Sequence, residues 1–150
     1  RGMIRRHWDE VGSHRDVLVL NPDHERYRNL ERAGVLHILT ARYNGELAGY
    51  FFVLVSRHPR DVTAVLGSDD VIYADPKFRR DLLGKQLIEE GIRHLTELGV
   101  DIIFFREKAR RKGGGYLERF GFEPQETVYA KLVGPRAMAR ALANGDKVEA

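Results

Sequence analysis

Two residues, Asn44-Gly45, separate two runs rich in branched and aromatic side chains, Val35–Tyr43 and Glu46–Val55. No other feature of the chain constrains its fold as strongly. A two-residue link of type I′ needs positive φ at both central positions, which Asn and Gly adopt at least cost, so the two runs are predicted to pair as an antiparallel hairpin. A polar loop is expected over 56–61, then a third strand over 63–74 with a kink at Gly67. Leu83, Leu87, Ile88, Ile92, Leu95 and Leu98 follow in the pattern of an amphipathic helix, with Gly99 placed to end it. Val100–Phe105 reads as a strand buried on both faces, its Ile-Ile-Phe-Phe run suiting a parallel pair. Strand, helix and strand over 63–105 make a crossover unit, which sets two strands parallel beside an antiparallel hairpin. The expected class is therefore α/β in the mixed-sheet, α+β sense. The sheet is mostly antiparallel with one parallel pair around a central helix, and helices lie on both faces.

The flanks read as helices and a tail. Ile4, Trp8 and Val11 form one apolar stripe that Gly12 ends. Asn21-Pro22-Asp23 reads as a helix start, with Asn as N-cap, Pro at the first helical position and an acid in the first turn. Tyr27 and Leu30 share that helix's inner face, and Gly34 stops it. Beyond the crossover unit come a basic, then Gly-rich connection over 106–115, a short helix Tyr116–Phe120 closed by Gly121, and a last strand Glu126–Val133. Residues 134–150 read as a tail in which Pro135 opens an Ala-rich helix. With no internal repeat or linker, 1–133 is expected to form a single domain, and 150 residues suit one.

Composition excludes several classes. At 43% hydrophobic and 31% charged residues the chain is of ordinary globular type, not disordered. Its longest apolar run, Tyr50–Val55, falls far short of the roughly 20 residues that span a bilayer, so no membrane association is expected. A net charge of +3 is small for a general nucleic-acid binder. Without cysteine there is no disulfide framework, no thiolate nucleophile and no Cys-type zinc site. No apolar leader opens the sequence, so a cytoplasmic location is expected.

The chemically informative stretch is Tyr73-Ala74-Asp75-Pro76-Lys77-Phe78-Arg79-Arg80-Asp81-Leu82-Leu83-Gly84-Lys85. A strand ends, a proline breaks it, and a basic loop feeds a helix N-terminus. Such a terminus offers unpaired N–H groups and partial positive charge to a phosphate or pyrophosphate. Lys77, Arg79, Arg80 and Lys85 add attraction, although a basic turn on an exposed helix start accounts for the residues equally well. The run Arg106–Lys112 is five-sevenths basic and reads either as a solvated loop or as a phosphate-backbone contact. Gly113-Gly114-Gly115 lacks the Gly-Lys-Ser/Thr of a phosphate-binding Walker loop and reads as a flexible connection. His37, on an apolar strand, reads as a hydrogen-bonded core or edge histidine. The other histidines (7, 14, 24, 58, 94) are scattered, no two at metal-ligand spacing, so no metal site is expected.

At these residues the sequence resembles the GCN5-related N-acetyltransferase (GNAT) superfamily. Its members carry a strand, Val-x-Pro-x-Tyr, and then R/Q-x-x-G-x-G/A opening the central helix. Ala74-Asp75-Pro76-Lys77-Phe78-Arg79 matches the first part, and Arg79 to Gly84 occupies the second. Asn44-Gly45-Glu46-Leu47-Ala48-Gly49 is similar to the family's hairpin, and Tyr116-Leu117-Glu118-Arg119-Phe120-Gly121-Phe122-Glu123 to its C-terminal motif. The likeness covers about residues 1–133 and is greatest to the divergent members common in bacteriophages and prophages. The strand that opens the family fold has no counterpart here. The resemblance implies an acyl-CoA-dependent N-acyltransferase moving acetyl from acetyl-CoA to an amine directly, in a ternary complex. It implies that Tyr73, Ala74 and Asp75 follow the pantetheine arm, and that Arg79, Arg80, Asp81, Leu82, Leu83, Gly84 and Lys85 surround the pyrophosphate. Arg106–Lys112 would then have the 3′-phosphate end of coenzyme A as a further possible ligand. The acceptor, a small molecule or a protein, is set by variable loops, here 13–21, 56–62 and the tail, and a dimer is left open.

Three positions depart from the family pattern. The first glycine of the helix-opening motif is Leu82, whose side chain crowds the approach and whose replacement by Gly is expected to cost roughly 1 kcal/mol of helix. The family's acid tyrosine falls on Leu117, leaving Tyr116, about 100° around the helix, as the candidate acid. The glutamate that many histone-type members place six residues before the Ala74 position is Ser68. An amine is mostly protonated at neutral pH and needs a base before it attacks. Asp70 projects from the same strand face as Ser68 and is the candidate base, with Asp69 on the other face. The plain alternative makes both a solvated strand start. Two other functions stand beside catalysis: a non-catalytic binding or structural module of the same fold, and a small basic nucleic-acid-binding domain using Arg106–Lys112.

Overall fold

The computed structural model describes residues 2–108 and 115–144, apart from the side chains at 80, 81 and 141. In chain order its elements are α1 (Gly2–Val11), α2 (His24–Arg32), β1 (Leu36–Tyr43), β2 (Glu46–His58), β3 (Asp61–Ala74), α3 (Leu83–Glu97), β4 (Ile102–Phe104) and α4 (Pro135–Ala143), with short 3₁₀ turns at Pro76–Asp81 and Glu118–Phe120. By internal contacts the chain divides into a unit Asp23–Glu123 and a second unit formed by Arg1–Pro22 with Pro124–Ala150.

The larger unit holds one sheet in the order β1-β2-β3-β4. Asn44 (φ 47°) and Gly45 (φ 82°) make the predicted turn, and β1 and β2 pair antiparallel from Leu36↔Leu54 to Tyr43↔Glu46. β2 and β3 are also antiparallel, whereas β3 and β4 run parallel through Leu66↔Ile102, Gly67↔Ile103 and Ser68↔Phe104. The mixed sheet with its single parallel pair is as the sequence implied. Ala48, Phe51, Val53, Leu83, Leu87 and Leu95 form the buried core between the sheet and α3. Gly91 lets α3 approach closely, since a Cβ there would lie 2.5 Å from the Phe51 ring. On the opposite face of β2, Phe52 meets Tyr27 of α2 edge to face at 5.8 Å between ring centroids. Helices therefore cover both faces.

Several expectations are corrected in detail. The polar segment 56–61 is not a loop: β2 continues to His58 and β3 begins at Asp61, because Arg57 pairs with Val65 and its guanidinium donates to the Val62 carbonyl at 2.7 Å. Gly67 introduces no kink; it lies under Leu95 and Val100, whose methyl groups would be 3.3 Å from an added Cβ. The register shifts fall instead between Phe52 and Val53, opposite Asp70, and between Arg57 and His58. Asp23, not Asn21, caps α2, its carboxylate accepting from the Arg26 N–H at 2.9 Å. β4 is shorter than predicted and is not buried on both faces, for it forms the sheet edge and leaves Ile102 and Phe104 exposed. Tyr116 and Leu117 lie in a turn ahead of Glu118–Phe120, which Gly121 closes with φ 83°.

In the smaller unit α1 ends where predicted, with the Gly12 N–H returning to the Trp8 carbonyl, but Met3 and His7 are its most buried residues. Asp16 and Arg140 of α4 form an ion pair at 2.6 Å. The expected strand Glu126–Val133 is not formed. Its residues have strand-type composition, but a strand also requires a ladder partner. Val128, Tyr129 and Val133 are instead exposed.

Candidate functional site

The site begins where β3 outruns β4. The last parallel pair is Ser68↔Phe104, and β3 continues through Asp69–Ala74 without β4 beside it. An ion pair between a buried Asp69 and an exposed Arg106 marks the parting point. The Asp69 carboxylate, 7% exposed, accepts from the Arg106 backbone N–H at 3.0 Å and from its Nε at 3.2 Å, while Arg106 Nη2 donates to the Asp69 carbonyl. Burial pushes the Asp69 carboxyl above its ordinary range, and the Arg106 donors act in the opposite direction. Asp69 is thus no solvated strand start, and Arg106 is a clamp on β3. Of the rest of the run Arg106–Lys112, residues 109–112 lie outside the described residues, as does the Gly113–Gly114 stretch.

Asp70, the next residue, is the bulged one: Phe52 pairs with Val71 and Val53 with Asp69, leaving it unopposed. It turns to the α2 side, where the Tyr27 hydroxyl donates to its Oδ2 at 3.4 Å. Burial first, then the Asp70 charge, raises the Tyr27 pKa, so the phenol stays protonated as a donor. Tyr50 and Tyr73 continue this aromatic side, their ring centroids 5.9 Å apart. Sequence reasoning named Asp70 as a candidate and read its partner Tyr27 only as part of an apolar helix face. Nothing in local spacing joins residues 27 and 70.

At the end of β3, Asp75 is buried; its N–H donates to the Ala48 carbonyl at 2.8 Å and its Oδ1 accepts from the Lys77 N–H at 3.1 Å. Arg79 folds back over Tyr73, its guanidinium 5.6 Å from the ring, and its Nε donates to the Ala74 carbonyl at 2.9 Å. Arg80 and Asp81 complete the 3₁₀ turn with side chains outside the described ones. Leu82 then takes the left-handed conformation (φ 57°, ψ 24°) with its side chain 62% exposed. It precedes α3 as the cap residue and is not part of the helix, contrary to the sequence reading.

Among the described side chains none caps α3, and its first amides, those of Leu83, Gly84 and Lys85, have no acceptor within the helix. Leu83 is buried in the core and contributes only its backbone here. Over Gly84 stands the Tyr116 hydroxyl, 3.7 Å from where a Cβ would be. Its placement joins the C-terminal motif to the helix start, which the sequence reading did not foresee. Lys77 and Lys85, expected to attract phosphate, pair with Glu46 at 3.0 Å and Glu89 at 3.5 Å.

The candidate site thus joins the end of β3, beyond its parallel pairing with β4, to the start of α3, on a mixed sheet with helices over both faces. The acetyltransferase (GNAT) family model matches residues 5–122, and the chain belongs to that family. N-acetyl transfer is the activity class that goes with membership. Similar solved structures include an aminoglycoside acetyltransferase from an uncultured soil metagenomic sample, crystallised with trehalose (17% identity, 88% of this chain and 86% of that one, TM-score 0.70). A ribosomal-protein-alanine N-acetyltransferase from Brucella melitensis biovar Abortus 2308 is similar at 18% identity over 89% of each chain, TM-score 0.64. A predicted acetyltransferase from Clostridium acetobutylicum, solved with acetyl-CoA, is similar at 14% identity over 88% of this chain and 86% of that one, TM-score 0.66. No curated protein sequence matches significantly.

Proposed function

We propose that the chain transfers an acetyl group from acetyl-CoA to an amine by direct attack in a ternary complex. The observation that carries this reading is the start of α3, which no described side chain caps, following the end of β3 that β4 leaves uncovered. The amides of Leu83, Gly84 and Lys85 suit the pyrophosphate, helped by the positive end of the α3 dipole. The Tyr116 hydroxyl over Gly84 is placed to donate to the same anion, which favours a binding role over that of acid. Because Arg79 occupies the Ala74 carbonyl, strand-like pairing with the pantetheine arm falls on the part of β3 that precedes it.

Asp70 serves as the base. Its carboxylate, steadied by Tyr27, takes a proton from the attacking amine directly or through one water. The amine nitrogen then bonds to the thioester carbonyl carbon and the C–S bond breaks; the nitrogen gives up its second proton, the departing thiolate takes one up through solvent, and Asp70 returns its own to bulk water. Amine and thioester become amide and thiol. The chain has no cysteine, so no cysteinyl acyl-enzyme intervenes.

Acetyl-CoA at about ten times its dissociation constant should raise Tm by roughly 3–6 °C, since it binds the native state alone. Reversing charge at Arg79 and Arg80 together should remove most of that shift. An unmoved melting curve at millimolar acetyl-CoA rejects the reading. The ion pairs of Lys77 and Lys85, with Leu82 at the motif's glycine position, favour a second reading, a binding module that no longer catalyses. Acetyl-CoA binding without turnover on a broad amine panel decides for it.

A further inference from the structure

His37 on the edge strand β1 and His94 on α3 are brought together, ring centroids 5.1 Å apart and planes inclined at 57°. His94 Nε2 lies 3.0 Å from His37 Nδ1, and His37 Nε2 lies 3.1 Å from the Gly34 carbonyl oxygen. A carbonyl only accepts, so in the neutral ring the His37 proton sits on Nε2 and the Nδ1 lone pair faces His94. That is the arrangement of a metal-binding imidazole, whose far nitrogen is held by a backbone carbonyl. Two nitrogens each about 2.0–2.1 Å from a tetrahedral ion stand roughly 3.3 Å apart, so the pair needs to open by a few tenths of an ångström while both rings turn until their lone pairs, now facing along the N–N line, converge on the ion. Beside the rings runs a groove of about 440 Å³ that Glu31, Thr40 and Glu90 also line, giving room for water ligands and a negative lining. Glu90 is bonded to Arg93, and among the described residues no group of three His, Cys, Asp or Glu converges.

We propose that His37 and His94 form a two-imidazole site for a divalent transition-metal ion, completed by water. The site lies at the β1 edge of the sheet, away from the end of β3 and the start of α3 where acyl transfer is proposed, and does not depend on that activity. When the ion enters, the His94 proton leaves Nε2 and one from solvent joins Nδ1, so both rings stay neutral and no net proton is released. Two protein ligands make a weaker site than the four of structural zinc, and copper should bind more tightly than nickel or zinc.

The experiment titrates the full chain with zinc chloride, following Tm and the imidazole nitrogens by NMR. At about ten times the dissociation constant Tm should rise by roughly 3–6 °C. The nitrogens of His37 and His94 should shift while those of His7, His14, His24 and His58 stay put. His37→Gln and His94→Gln should each abolish the rise. An unchanged Tm in millimolar zinc, an equal rise in the double variant, or shifts spread over all six histidines overturns the proposal. Should a variant fail to fold, the wild-type NMR titration decides alone.

Discussion

The turn at Asn44-Gly45 and the corner at Leu82 put a non-glycine residue into the same backbone well, at φ 47° and φ 57°. At the turn, chemistry and geometry agree: Asn tolerates the left-handed region and Gly45 follows it at φ 82°. At the corner they disagree, since a leucine in that well is strained by roughly 1–2 kcal/mol. The turn only joins two strands. The corner sets the direction of α3 and the aim of its first amides. Strain of this kind persists where the surroundings impose it, and such places cluster at functional sites. The comparison sets a turn that serves the fold against a corner that belongs to the proposed site.

The sharpest way to break that division is at Asp70. Its position in the bulge costs a ladder pairing and aims a carboxylate at Tyr27. Asp70→Asn is expected to keep the fold and acetyl-CoA affinity while turnover falls by about 10²- to 10⁴-fold. The loss should shrink as pH rises toward the amine's own pKa, because the acceptor then arrives deprotonated. Equal turnover of variant and wild type from pH 6 to 9 would remove Asp70 as base.

One residue earlier the expectation reverses. Asp69 belongs to the fold, and Asp69→Ala would leave the Arg106 donors without their buried acceptor, costing about 1–3 kcal/mol in denaturant unfolding. The pH dependence has a definite sign. The folded carboxyl titrates above its ordinary value of 3.8, so over that window the native state holds a proton that the unfolded chain has released. Asp69 therefore favours folding as pH falls through the window and disfavours it as pH rises. The stability of wild type relative to Asp69→Asn should grow from pH 7 to pH 4. A difference that shrinks toward acid would mean that Asp69 is held ionised, as an ordinary salt bridge would hold it.

This adjacent pair also shows why the sequence was legible in some places and not in others. The hairpin, the crossover and the start of α3 rest on contacts between near neighbours, so Asn44-Gly45, the Leu83–Leu95 stripe and Pro76 reported them directly. The bulge depends on register against Phe52 and Val53, and only paired strands reveal it. Arg106 reads as one of several loop cations until β4 brings it to Asp69. Tyr27 and His94 likewise find their partners, Asp70 and His37, across the fold. The Glu126–Val133 prediction failed for the complementary reason: strand propensity was present, but a ladder is a property of two segments.

The smallest effects test the opening comparison most directly, because glycine should be the better residue at both left-handed positions while only the corner carries a binding readout. Gly45→Ala places a Cβ at φ 82° and should destabilise by about 1 kcal/mol. Leu82→Gly should stabilise instead. The side chain is 62% exposed, so little apolar burial is lost, and relief of the left-handed strain outweighs the roughly 0.4–1 kcal/mol by which glycine loosens the unfolded chain. The net gain is about 0.5–1 kcal/mol, where the sequence alone implied a helix cost, because Leu82 stands before α3 and not within it. Removing the side chain also clears the approach to the Leu83, Gly84 and Lys85 amides, so acetyl-CoA should bind more tightly by calorimetry. Higher stability with unchanged binding would confine the strain to the backbone and place the pyrophosphate away from Leu82. Lower stability would mean that the leucine side chain holds the corner, and that the corner, like the turn, is built for the fold.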